Sequence, residues 1–108
     1  MNIANLFASD HWFQVLQTSS GSQTAVMTLA PGKATGAEAE AHEASEQILL
    51  VVEGALSGEI GSEKLKLQRG DVVVIPKGTK HRFANDGQES AVTFNVYVPP
   101  EYAPDEKD

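Results

Sequence analysis

Residues 70–85, GDVVVIPKGTKHRFAN, decide how this chain is read. Gly70-Asp71 turns the backbone into a buried strand of four β-branched residues, Val72 to Ile75. Pro76-Lys77-Gly78 makes a second turn, in which glycine supplies a positive φ. His81 sits on the next strand, where it can point into an interior, and Asn85 closes the turn that follows.

Outward from this stretch the same punctuation repeats. Strand signals fall at 12–17, 24–29, 47–53, 55–60, 64–67, 71–75, 81–84 and 91–98. Turns separate them at Ser20-Gly21, Pro31-Gly32, Glu53-Gly54, Gly61-Ser62, Arg69-Gly70, Lys77-Gly78 and Asp86-Gly87. Many short strands divided this way read as an all-β sandwich or barrel. Residues 2–9 suit a short helical turn. Residues 36–46, GAEAEAHEASE, admit two readings. Their Ala and Glu content favours helix, whereas Glu38, Glu40 and His42 alternate at the period of a strand with a polar inner face. Strand signals on both sides favour the strand.

Residues 48–52 and 72–75 are apolar at every position. A sheet with one wet face would alternate, so both faces of these strands are expected to be covered, one by the interior and one by a second layer or subunit. That is the physical basis for expecting a homodimer. Residues 1–10 form an N-terminal arm. The tail, residues 99–108, PPEYAPDEKD, is expected to end the fold or pack lightly over a neighbour.

Composition narrows the function classes. At 108 residues the chain is one domain, 1–108, with 41% hydrophobic and 21% charged residues. Eight basic against fifteen acidic residues, a formal charge of −7, argue against a phosphate-backbone partner, and no nucleic acid is expected. There is no cysteine, so disulfides, thiolate nucleophiles and thiolate metal sites are excluded. The first residues lack a basic start and a long apolar run, and no segment approaches the length that crosses a bilayer, so a cytoplasmic protein with no membrane partner is the expectation.

Residues 70–85 match the second cupin motif, G-x5-P-x-G-x2-H-x3-N, at Gly70, Pro76, Gly78, His81 and Asn85. Five fixed positions of infrequent residue types coincide on the order of once in tens of thousands of random chains. The first cupin motif, G-x5-H-x-H-x3-4-E-x6-G, matches in part. Counting back from Gly54 places Gln47 at the family's Glu, His42 at its second His and Glu40 at its first. Its opening Gly position is Ala34, with Gly36 nearby. Fifteen residues separate the two motifs. The chain thus resembles the small single-domain cupins, some of them labelled sugar-phosphate-isomerase-like.

The resemblance implies a double-stranded β-helix, or jelly-roll barrel, with a site in its mouth. It also implies that Glu40, His42, Gln47 and His81 project into one cavity, where cupins commonly bind a divalent transition metal (Mn, Fe, Ni, Zn or Cu). Two imidazoles and a carboxylate approach the arrangement that holds iron with open positions, and Gln47 would add a neutral amide oxygen. Met27, Phe83, Phe94 and Tyr97 are candidates to wall the pocket, though core packing is the ordinary role of such residues. Period-two alternation sends Phe83 inward with His81. No Ser–His–Asp set and no phosphate-binding glycine loop is present.

Two functions stay open on the sequence. One is a homodimeric cupin holding a metal and a small polar organic ligand, as a metal-dependent dioxygenase or isomerase would. The other is a metal-free binding or sensing module without turnover, in which the same residues recognise a small molecule by hydrogen bonds.

Overall fold

A computed structural model describes all of residues 1–108. Eight strands follow a 3-10 turn at Leu6–Ala8: β1 (Phe13–Thr18), β2 (Gln23–Leu29), β3 (Glu46–Glu53), β4 (Ala55–Ile60), β5 (Glu63–Gln68), β6 (Val72–Ile75), β7 (His81–Ala84) and β8 (Ala91–Val98). They form two antiparallel sheets, ordered β1-β2-β8-β3-β6 and β5-β4-β7. The inner faces of the two sheets enclose one core that includes Phe13, Leu29, Leu49, Val51, Ile75 and Phe83. No helix is long and apolar enough to cross a membrane.

Register explains where the polar residues of the large sheet go. Ile75, Gln47, Tyr97 and Gln23 are successive cross-strand partners on β6, β3, β8 and β2, and they face inward as one row near the barrel mouth. The next rows place Asn95 beside Leu49 and Thr93 beside Val51, both buried. On β8 the inward residues are therefore Thr93, Asn95 and Tyr97. Phe94 has the opposite parity and lies on the outer face, so it does not wall the pocket.

Residues 36–45 form neither a continuous strand nor a helix. The chain from Ala34 onward touches β7 at two isolated bridges, Ala34 with Ala84 and Glu40 with His81. Five residues lie between the bridge points on one side and two on the other, so a regular ladder cannot form and the surplus bulges outward. Arg82 Nε donates to the Gly36 carbonyl at 2.6 Å and holds the base of that bulge.

The tail is a built element of its own barrel. Gln23 is fully buried and clamps it: Oε1 accepts from the backbone amides of Glu101 and Tyr102 (3.1 and 2.9 Å), and Nε2 donates to the Tyr102 carbonyl (2.8 Å). Farther on, Val15 donates to the Glu106 carbonyl and Asp108 donates to the Phe13 carbonyl, which covers the free edge of β1. The outer face of β6 stays bare within one chain, with Val72 and Val74 61% and 54% exposed.

Candidate functional site: the barrel mouth

The two turns read from the sequence deliver His81. Gly78 adopts φ 78°, and its amide donates to the His42 carbonyl at 2.7 Å, tying the loop that carries His42 to the turn before β7. Glu40 and His81 then exchange both backbone hydrogen bonds (3.1 and 2.9 Å), so their side chains leave on the same face of that pair. The His42 and His81 rings lie 5.0 Å apart between centroids. Asn85 is structural: its Nδ2 donates to the Leu29 and Glu89 carbonyls and its Oδ1 accepts from Gly87.

These residues open onto one cavity of about 260 Å³. Glu40, His42, Gln47 and His81 all line it, as do Met27, Phe83 and Tyr97. Gly58 makes room for the Phe83 ring: a Cβ there would stand 2.7 Å from it. Reading the sequence missed Trp12 and Phe13 on the β1 side, Thr35 in the bulged loop, and Tyr102, Glu106 and Asp108 in the tail; Glu38, placed with Glu40 and His42 on a polar inner face, lines the cavity too. The one signal for the tail was Tyr102, a large aromatic in an otherwise charged, Pro-rich segment.

Three of the four candidate donors, His81, His42 and Gln47, are anchored through their other polar atom. His81 Nδ1 lies 3.0 Å from the Thr79 carbonyl, which makes it the protonated nitrogen and leaves Nε2 with a free lone pair. His42 Nδ1 lies 3.2 Å from a Glu101 carboxylate oxygen, both groups being largely buried. Gln47 is oriented by a relay whose direction is set at its far end. The Met27 carbonyl only accepts, so the Thr93 hydroxyl donates to it (3.0 Å) and accepts from Asn95 Nδ2 (2.9 Å). Asn95 Oδ1 therefore accepts from Gln47 Nε2 (2.9 Å). Gln47 Oε1 is left buried with no hydrogen-bond partner.

The electrostatics are one-sided. Burial lowers the His81 pKa below the ordinary imidazole value, and nearby His42 lowers it further; the Thr79 carbonyl and Glu40 oppose both. The imidazole is accordingly neutral at pH 7. Burial, chiefly, raises the Tyr97 phenol far above its usual range and raises Tyr102 as well, with Glu101 adding to both. The Tyr97 and Tyr102 rings meet edge to face at 5.2 Å, and each also packs against His42.

The cupin-domain family model matches residues 25–97, from β2 to the end of β8. The chain belongs to the cupin-domain family. Among solved structures, this cupin is similar to BH2720 of Bacillus halodurans, with a TM-score of 0.87 at 22% identity over 94% of this chain and 80% of that one. It is also similar to TT1209 of Thermus thermophilus, with a TM-score of 0.81 at 23% identity over 92% and 98% of the two chains. A predicted oxalate decarboxylase of Thermotoga maritima superposes with a TM-score of 0.73 at 20% identity, over 82% of this chain and 79% of that one. At such identities the likeness carries the fold alone. No curated protein matches the sequence.

The side chains around the cavity bear on whether it suits a metal. No three His, Asp or Glu side chains converge closely enough to hold an ion by themselves. His42, His81, Glu40 and Gln47, whose Oε1 is orphaned, are residues of ligand-forming type that line the same cavity. Anchoring of the second ring nitrogen by a carboxylate or backbone carbonyl is the usual support for a ligating histidine.

Proposed function

We propose that this cupin binds a divalent transition metal and a small organic ligand in the barrel mouth. His42, His81 and Gln47 would hold the ion, with Glu40 adding charge. The observation that carries this reading is the orphaned Gln47 Oε1: a buried acceptor without a partner is costly, and an occupant of the cavity relieves it. A bound divalent ion would supply Lewis acidity to polarise an oxygen-bearing substrate, or a centre for activating dioxygen. The protein's own part is to hold His81 neutral, fix both ring orientations through Thr79 and Glu101, and bury the site under the tail. Elemental analysis of protein purified without chelator or metal-affinity resin tests this. Near-stoichiometric metal that is lost in both His42→Ala and His81→Ala is expected; bound metal surviving both changes overturns the assignment.

The alternative, a metal-free binding or sensing module, is favoured by the lack of three convergent His, Asp or Glu side chains. There Gln47 Oε1 and the imidazoles would accept hydrogen bonds from a ligand directly, and no metal would be found even after supplementation. In either case a second copy of this chain is the proposed cover for the outer face of the large sheet. Ile48 lies beside Val74 and Val96 there, and Leu50 beside Val72 and Phe94, an apolar patch unlike an ordinary wet sheet face.

A further inference from the structure

The charge lining the cavity selects among ligands. Four carboxylates, Glu38, Glu40, Glu106 and Asp108, line it, and no Lys or Arg does. Glu101 stands just behind, against His42. These groups come from two stretches far apart in sequence, the bulged loop and the tail, and the fold brings them to one opening. A cluster of acids alone would signify only a solvated rim. Here it rims an open cavity lined by Gln47, which is 4% exposed and whose Oε1 lacks any partner. The walls between are aromatic: Trp12, Phe13, Phe83, Tyr97 and Tyr102. Carboxylate and amide oxygens only accept hydrogen bonds, while aromatic faces attract positive charge.

We propose that the organic ligand of this cavity is a small protonated amine, an alkylammonium whose N–H groups meet the carboxylate rim and whose carbon chain lies against the aromatic walls. This rests on reading the mouth as a ligand site, but not on the metal. A divalent ion held by His42, His81 and Gln47 still leaves the cavity anionic, so the preference for a cation persists in both forms. Carboxylate and phosphate ligands meet four like charges and no Lys or Arg, which is the unfavourable arrangement. The cavity volume, below that of a typical drug-sized pocket, limits the ligand to a short chain.

The test is a matched series of n-butylammonium, 1-butanol and butyrate, titrated into metal-loaded and chelator-treated protein and followed by calorimetry and by the fluorescence of Trp12, the sole tryptophan. Butylammonium should bind about tenfold more tightly than 1-butanol in the chelated protein, with butyrate weaker still. Combining Glu38→Gln with Glu106→Gln should erase most of that tenfold preference while leaving 1-butanol unchanged. Glu59→Gln, an exposed site on the other sheet, should leave butylammonium binding as in the wild type. Equal binding of the alcohol and the ammonium, tightest binding by butyrate, or no saturable butylammonium binding at millimolar concentration each overturns the inference. Butyrate winning only in metal-loaded protein overturns it too, while leaving the metal reading intact. An ammonium preference in protein that takes up no metal supports it and removes the metal reading instead.

Discussion

Replacing Gln47 by the carboxylate of the family pattern, Gln47→Glu, probes the relay that fixes this site. An ionised carboxylate has no proton for Asn95 Oδ1, to which Gln47 Nε2 donates at 2.9 Å. Either two oxygens face one another, or the Asn95 amide flips and presents Oδ1 to a Thr93 hydroxyl already donating to Met27. One buried hydrogen bond is lost and one polar group is stranded, at a cost of about 1–3 kcal/mol. For a domain near this size each kcal/mol lowers Tm by roughly 4–8 °C. Protonation removes the penalty, because a carboxylic acid can donate just as the amide does. Burial holds the new carboxyl's folded pKa above its unfolded value of about 4.3. Between those two pKa values the folded state binds more protons, so stability falls as pH rises through that window, and nothing is lost below it. Urea unfolding in the presence of chelator, with variant and wild type compared at about pH 4 and at about pH 7.5, reads this difference. The variant should match wild type at the acid pH and fall below it at the other. Adding a divalent metal at the higher pH should stabilise the variant more than the wild type, because a carboxylate is the stronger ligand. Equal stability at both pH values would refute the direction assigned to the relay.

Gly58→Ala places a methyl 2.7–2.8 Å from the Phe83 ring, a clash that only displacement of a wall of the cavity relieves. Its unfolding midpoint in urea should drop by the equivalent of about 1–3 kcal/mol, and an unchanged midpoint would mean that Phe83 has room to move. Val74→Lys puts a charge on the bare apolar face of β6 and should turn a dimer into a monomer in sedimentation velocity; a wild type already monomeric at micromolar concentration would contradict the proposed pairing.

The cupin architecture was legible because its signals are local. The turn at Gly70, the Pro76–Gly78 corner and the strands around them are set by backbone preferences that a few neighbouring residues determine. Counting from Gly54 along the cupin motif found Glu40, His42 and Gln47; strand parity fixes the face of Gln47 on β3, whereas Glu40 and His42 lie on the loop before it. The segment 36–46 was misread as a strand because a period of two shows which face a side chain would take, not whether a partner of equal length is available. Across from it β7 offers only the residues between His81 and Ala84, so the loop bulges. Phe94 and Tyr97 cannot both wall the pocket, because positions 94 and 97 have opposite parity on one strand.

By itself, then, the sequence determined the sheet-forming segments, the family and the cavity-lining histidines. Only the tertiary structure decided what those histidines face. Glu101 comes to His42 because Gln23, nearly eighty positions earlier in the chain, binds the tail's backbone. Nothing local in the tail encodes that contact. The same long-range closure gathers acids from loop and tail around one opening, so the sign of the cavity's charge is a property of the fold and not of any motif.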